Sequence, residues 1–313
     1  MTPPQRRVLL VTHASRRDAQ ELSAAVATRL LASGIGVCAP SADLEGNTPL
    51  AAVTGVGCVD ETRSDLDCEL VCVLGGDGTI LRGAELSRGS GAPLLGVNLG
   101  HVGFLAEAER EDLDATVERI CARDYTVEER MTLDVLARVD GHEVFSSWAL
   151  NEATVEKASR ERMLELTVEI DGRPLSTWGC DGIVMATPTG STAYAFSAGG
   201  PVVWPDVEAL LLVPISAHAL FSRPVVVGPQ SHLAVQLLPQ AEAGAVLWCD
   251  GRRAVGLPPG AQVEVTRSSQ PVRLARLSQG VFTDRLVEKF DLPVHGWRGA
   301  ARRQRGDEEE PAR

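Results

Sequence analysis

"ELVCVLGGDGTILRGAELSR", residues 69–88, joins two kinds of local pattern through a glycine-rich loop. Its first half, "ELVCVLGG", is an apolar run of strand length, and "TILRGAELSR" reads as a helix. Between them three glycines surround one aspartate, Asp77. A strand that feeds a helix through a glycine loop is the repeating unit of a parallel sheet, and such sheets bind ligands beyond the carboxyl ends of their strands. Glycines let a backbone approach a phosphate closely, and the N–H groups of the loop and helix start supply donors to it. A Gly-Asp-Gly turn with a solvated aspartate is the plainer alternative.

Working outward, the same alternation runs from Val8 to about Arg130. "VLLVT" is a buried strand, and "AQELSAAVATRLLASG" is a helix that places Leu22, Val26, Leu30 and Leu31 on one face before a stop at Gly34. "PLLGVNLG" and "EDLDATVERICARD" repeat the strand and the helix. "GVGCVD" (55–60) looks like the start of a dinucleotide fingerprint, but no strand leads into it and Asp60 stands at the third glycine position, so it reads as a loop.

After Tyr125 the rhythm becomes period-two and β-branched. "RMTLDVLARVDGHEVFSSWALNEATV" reads as a hairpin around Asp140-Gly141 and "LELTVEIDGRPLS" as one around Asp171-Gly172. "RPVVVGP", "HLAVQLL", "AVLWCDGRRAVGL" and "QVEVTRS" continue the pattern. The fold class is therefore an α/β N-terminal domain with a parallel sheet plus a β-rich, sandwich-like C-terminal domain. "FTDRLVEKF" is helical again, which implies that the C-terminal segment returns to the first domain. The expected divisions are 1–130, an α/β domain carrying the glycine loop; 131–275, the β-rich domain; 276–298, a return segment packing on the first domain; and 299–313, a disordered tail without apolar runs.

Composition narrows the function. A net charge of −12 disfavours general attraction to nucleic acid or an anionic membrane. Lysine stands only at positions 157 and 289, so phosphate recognition must rely on arginine, backbone N–H or metal. The seven cysteines are scattered and never spaced as C-x-x-C, as expected of reduced thiols in a cytoplasm. "RRVLLVT" is too short for a signal peptide, and "ALLLVPISAHALF" is broken by Pro214 and His218, so neither an export signal nor a membrane span is expected. No G-x-x-x-x-G-K-[ST] occurs, which removes the P-loop kinases and ATPases.

A second cluster is "GCDGIVMATPTGSTAYAFSAGGP" (179–201), rich in small and hydroxylated residues. Its many neutral donors and acceptors suit a sugar or base; a strand-to-helix turn capped by Ser191 or Thr192 is the bland reading. "ALNEATV" (149–155) adds Asn151 and Glu152 at a strand end. His101 and His218 are isolated, without ligand-like spacing.

The GGDG at 75–78, "NLGHVGFL" at 98–105, the Asn-Glu pair at 151–152 and "DGIVMATPTGSTAYAFSAGGP" from Asp181 together resemble the NAD kinase family, of the bacterial ATP-NAD kinase type. The likeness runs from Val8 to Trp297, and "TPTGSTAY" is its most specific part. The resemblance implies transfer of the γ-phosphoryl group of ATP, with polyphosphate as an alternative donor, to the 2′-hydroxyl of the adenosine ribose of NAD, giving NADP. It implies Asp77 as the general base and Gly75, Gly76, Gly78 and Thr79 as the phosphate loop. Asp77 itself, Gly78, Arg82, Asn151, Glu152, Asp181 and the run Thr192, Ala193, Tyr194, Ala195, Phe196 and Ser197 would contact NAD, which makes 131–275 the dinucleotide-binding domain. Arg162 joins them, with Arg160 and Lys157 as rivals. Asp250 matches a family Asp-Gly element and is also readable as a hairpin turn. The resemblance further implies a divalent ion, Mg²⁺, delivered with ATP and held by no protein cage, and a cytoplasmic homo-oligomer, dimer or tetramer, in which Asp181 acts in its own or a neighbouring subunit's site. A lipid or sugar kinase with a similar GGDG loop, and a catalytically silent NAD-binding sensor, are the competing readings.

Overall fold

The computed structural model describes residues 6–294 apart from 14, 47, 61–66, 101, 102, 109–111, 242, 278, 279 and 281. The tail expected at 299–313 and His101 lie outside these residues.

The N-terminal part runs β1 (Arg7–Thr12), α1 (Arg17–Ala32), β2 (Gly36–Pro40), α2 (Ser41–Leu44), β3 (Val56–Val59), β4 (Leu70–Leu74), α3 (Asp77–Ser87), β5 (Leu94–Val97), α4 (Leu113–Ala122) and β6 (Thr126–Arg130). Next come β7 (Leu133–Val139), β8 (His142–Ala149), β9 (Glu152–Lys157), β10 (Leu164–Ile170), β11 (Arg173–Cys180) and β12 (Gly182–Ala186). A 3₁₀ turn at Thr189–Thr192 leads into the short α5 (Tyr194–Ser197). The chain continues as β13 (Leu210–Ile215), β14 (Val225–Val227), β15 (Leu233–Leu237), β16 (Ala245–Cys249), β17 (Arg253–Leu257), β18 (Gln262–Arg267), β19 (Val272–Arg276) and α6 (Phe282–Phe290).

The first sheet has the order β3-β2-β1-β4-β5-β19-β6. All neighbours pair in parallel except β19 and β6. Alternate side chains of β1 therefore serve two cores: Val8 and Leu10 pack under α1 and α4 with Val26, Leu30, Val117 and Ile120, while Leu9 and Val11 pack under α3 with Ile80 and Ala84. Burial on both faces explains why β1, β4 and β5 read as continuous apolar runs rather than alternating ones. Leu22 and Leu31 flank Val26 and Leu30 as expected, partly buried. The C-terminal segment does return: β19 inserts between β5 and β6, and α6 follows it.

One expectation is overturned. Residues 56–59, read as a loop, form β3 at the sheet's edge, paired in parallel with β2. An edge strand of four residues with neither face fully covered needs no apolar run, so its composition does not betray it.

The β-rich part is two six-stranded antiparallel sheets, β11-β10-β15-β18-β7-β8 and β14-β13-β12-β9-β16-β17. Their facing side chains, among them Leu133, Val135, Leu166, Trp178, Val155, Ile183 and Leu247, make one shared core. Three of its hairpins turn at Asp-Gly, with φ of 51° and 78° at 140–141, 53° and 72° at 171–172, and 52° and 62° at 250–251. Positive φ at both positions is the type I′ turn that matches strand twist, and Asp-Gly is a dipeptide that tolerates it. Pro214, which breaks the apolar run at 209–221, sits within β13 opposite Ile183. Among the described residues no helix is long and apolar enough to cross a membrane.

Candidate active site

Asp77 is the first residue of α3, at the carboxyl end of β4. Gly75 is buried and its N–H donates to the Val97 carbonyl at 3.0 Å, which fixes the loop to β5. A Cβ on Gly75 would lie 2.5 Å from Thr79 Oγ1, so the position has no room for one. Gly76 and Gly78 are exposed, and a Cβ on either would meet nothing within 4 Å. There is open space beside both, next to the unpaired N–H groups that begin any helix.

The Asp77 carboxylate is partly buried and faces the "GFL" segment. Phe104 N–H donates to Oδ2 and Leu105 N–H to Oδ1, both at 3.3 Å. Gly103 makes this approach possible, because a Cβ there would stand 2.5 Å from Oδ1. Arg82, one turn along α3, donates to Asp43 Oδ1 at 2.6 Å and to the Thr12 carbonyl at 3.3 Å. Asp43 is fully buried and also accepts from Thr12 N–H, so the guanidinium meets a carboxylate at the end of β1. No local pattern in the sequence pointed to Asp43.

The Asn-Glu pair is built differently. Asp250 Oδ2 accepts from Leu150 N–H at 2.9 Å, and Oδ1 accepts from Asn151 N–H at 2.7 Å and Glu152 N–H at 3.3 Å. Its own N–H donates to the Glu152 carbonyl. Asp250 thus sits in a hairpin turn and also holds the start of β9. On the other side, Thr187 Oγ1 donates to the Leu150 carbonyl at 2.6 Å and accepts from Gly190 N–H at 3.1 Å. Gly190 packs so closely on Asn151 that a Cβ would fall 2.0 Å from its carbonyl oxygen. "TPTG" is therefore the wall against which the Asn-Glu strand end rests. Ser191 caps no helix; its Oγ exchanges two hydrogen bonds with the backbone of Val203.

Asn151 and Glu152 are both buried. Burial, then the negative charge of Asp250, pushes the Glu152 carboxyl up to about 8, against the opposing pull of the Tyr194 N–H. Glu152 Oε2 is buried without a hydrogen-bond partner. A carboxyl that is neutral near pH 7 both donates and accepts, which suits a hydroxyl or an adenine edge. Burial, then Glu156, Glu152 and Asp181, raise the Tyr194 phenol. Thr192 and Ala193 are partly buried, Ala195 is buried, and Tyr194, Phe196 and Ser197 are exposed. The Phe196 ring packs 4.7 Å from Phe290 of α6.

Asp181 forms an ion pair with Lys157, and Arg160 and Arg162 of the neighbouring loop are exposed. His218 lies in a separate bridge to Gly179. Among the described residues no three His, Cys, Asp or Glu side chains group as metal ligands.

A brace joins the two regions, and sequence reasoning missed it. Arg253 bonds Asp250 at 2.8 Å and pairs with Glu85 of α3 at 3.1 Å, while Arg252 reaches Glu85 at 3.0 Å. Trp148 lies between Arg88 and Arg253, whose guanidinium carbons stand 4.3 and 4.5 Å from its ring centroid. The helix that begins with Asp77 is thereby tied to the hairpin that holds Glu152. "WCDGRR" contains half of this brace, but its partners are far away in sequence.

The sequence profile of the ATP-NAD kinase N-terminal domain matches residues 8–125, and that of the C-terminal domain matches 150–277. The chain is 61% identical over 299 residues to an NAD kinase of Leifsonia xyli, covering 94% of this chain and 97% of that one. It is 59% identical to NAD kinase 2 of Streptomyces coelicolor, with the same coverage of 94% and 97%. Among solved structures it resembles yeast NADH kinase complexed with NADH in fold, at 23% identity and a TM-score of 0.81 over 95% of this chain and 89% of that one. An Archaeoglobus fulgidus NAD kinase in complex with ATP superposes with a TM-score of 0.65 at 25% identity, covering 92% and 98% of the two chains.

Proposed function

The chain belongs to the ATP-NAD kinase family, and we infer that it phosphorylates the 2′-hydroxyl of the adenosine ribose of NAD with ATP, Asp77 acting as the general base. The observation that carries the role of Asp77 is its setting: a partly exposed carboxylate flanked by two glycines with open space beside them. The ribose hydroxyl gives its proton to that carboxylate as its oxygen forms a bond to the γ-phosphorus. The bond from that phosphorus to the β,γ-bridging oxygen breaks, and ADP leaves. A base at this position contributes about 10²–10⁴-fold, with alignment and charge stabilisation supplying most of the rest.

The N–H groups around Gly76 and Gly78 receive phosphate oxygens, and Gly75 and Thr79 keep the loop in shape. Glu152 and Asn151 bind ribose or adenine, with Tyr194 and its neighbours 192–197 lining the dinucleotide side and Asp181 and Arg162 at its margin. Arg82 acts here by fixing α3 to β1 through Asp43, in keeping with its contacts. Mg²⁺ enters with ATP as part of that substrate and shields the transferring phosphate. A cytoplasmic homo-oligomer belongs to the same reading. Seven free cysteines suit a reducing compartment, and Leu220, Phe221 and Val226 expose apolar surface that a second subunit would cover.

The test is NADP formation by the purified protein with Mg-ATP and NAD, for wild type and Asp77→Asn. Wild type is expected to turn over and the variant to lose at least about 100-fold in kcat. No NADP from wild type with ATP or polyphosphate overturns the kinase reading; an unimpaired variant overturns Asp77 as the base.

A further inference from the structure

The peptide groups of "GFL" that grip Asp77 are themselves held from behind by α6. Phe104 N–H and Leu105 N–H reach the two carboxylate oxygens. The amide that carries the Leu105 N–H has the Phe104 carbonyl at its other end, and Arg285 Nη1 of α6 donates to that carbonyl at 3.0 Å. One peptide plane therefore links a guanidinium to the carboxylate. The same Nη1 donates to the Ala106 carbonyl at 2.8 Å, and the N–H of that peptide, on Glu107, donates to the Gly96 carbonyl of β5 at 2.8 Å. Arg285 thus ties the peptide that touches Asp77 to one that is fixed on the sheet.

Resting on the functional reading above, we propose that Arg285 is a positioning residue for the reaction at Asp77, setting the direction of the carboxylate through the Phe104–Leu105 peptide rather than by touching a substrate. Its own aim is fixed. Glu107, whose side chain is 1% exposed, accepts from Arg285 Nη2 at 2.7 Å, from Arg276 at 2.9 Å and from Leu277 N–H at 3.0 Å, which leaves Nη1 turned to the two carbonyls. The apolar half of α6 grips the same segment, with the Phe104 ring 5.8 Å from Phe282 and 5.9 Å from Phe290.

A cation on a carbonyl oxygen draws electron density through the amide and makes its N–H a better donor, by about 10–30% per bond. Both bonds to Asp77 are 3.3 Å long, beyond the usual N–H···O range, so they orient the carboxylate and leave its lone pairs open to the proton it takes. Orientation is where the rate is at stake: a misplacement of about 1 Å, caused from a distance, costs about 100-fold.

The test is kcat and KM for NAD in Arg285→Met and Arg285→Lys, each alone and combined with Asp77→Asn, beside the denaturant midpoint and the amide resonance of Leu105. Arg285→Met keeps an unbranched stem and loses every donor; kcat is expected to fall about tenfold, with KM for NAD changed less than about twofold. Arg285→Lys puts a point charge in place of a planar fork; it is expected to lose about threefold, and it stands in for the Met variant if that does not fold. Added to Asp77→Asn, neither change should cost more than about twofold, because the carboxylate being positioned is gone, whereas a purely structural role multiplies in full. A loss that multiplies in full, or an undiminished kcat in the folded variant, overturns the proposal. The Leu105 amide proton needs no turnover and is expected to move upfield in the Arg285 variants as in Asp77→Asn; a resonance that stays in place overturns the proposal whatever the rates. If it moves in this way while wild type forms no NADP, the functional reading fails and the hold of Arg285 on Asp77 does not.

Discussion

The loop at Asp77 and the strand end at Asn151-Glu152, to which the proposed function gives one substrate, are held in opposite ways. Asp77 is partly exposed and receives two hydrogen bonds of 3.3 Å, with glycines and open space around it. The backbone of 150–152 is buried and clamped from two sides, by Asp250 and by Thr187 with Gly190. A group that must take up a proton needs access to the reacting atoms and room for charge to change. A group that must recognise a ribose or a base needs fixed geometry, because loose polar partners discriminate poorly. On the proposed function, turnover and recognition are separated between the domains, which the Glu85–Arg253–Asp250 ion pairs join.

The contrast is broken most forcefully at Asp77 itself, where Asn is expected to remove about 10²–10⁴-fold of kcat. Gly190→Ala comes next. Its Cβ would overlap the Asn151 carbonyl at 2.0 Å. Backbone cannot swing aside as a side chain does, so about 3 kcal/mol of stability should be lost and KM for NAD should rise about 100-fold. Denaturant midpoints and initial rates check both. Gly103→Ala is the matched change on the other side. Its Cβ meets only the end of the Asp77 side chain, so kcat should fall about tenfold while stability moves by less than about 1 kcal/mol.

The smallest effect concerns pH. The Glu152 carboxyl ionises at about 8 in the folded chain, against about 4 for a solvated glutamate. Between those values the folded state holds a proton that the unfolded state has released. This contribution to stability is therefore fully present below about 4, falls as pH rises to about 8, and is constant above that. KM for NAD should rise above pH 8 in wild type by a few-fold, and stay flat in Glu152→Gln, whose amide keeps a donor. A KM for NAD that falls above pH 8 in wild type would show that the ionised form binds NAD.

What the sequence disclosed, and what it hid, follows from the range of the interactions. The glycine loop, the Asp-Gly hairpins and the change from helical alternation to period two at Tyr125 are local, and local steric rules make them readable. β3 was hidden because an edge strand of four half-covered residues carries no pattern. Asp250 was visible as a turn but not as the clamp on 150–152, since its partners lie 98 to 100 residues away. The contacts of β19 and α6 with the first domain were hidden for the same reason: Arg276 meets Glu128 across 148 residues, and Arg285 meets Phe104 across 181. Resemblance to a family pointed to residues whose types recur; it had no means of pointing to which buried carboxylate holds them.

The division between turnover and recognition is tested most directly by titrating NAD into Asp77→Asn in a calorimeter, without donor. A Kd within about twofold of wild type is expected, since the clamp on 150–152 is untouched, in a protein whose kcat has fallen by at least about 100-fold. A Kd weakened as much as turnover would mean that Asp77 holds the substrate rather than taking its proton, and would contradict that division.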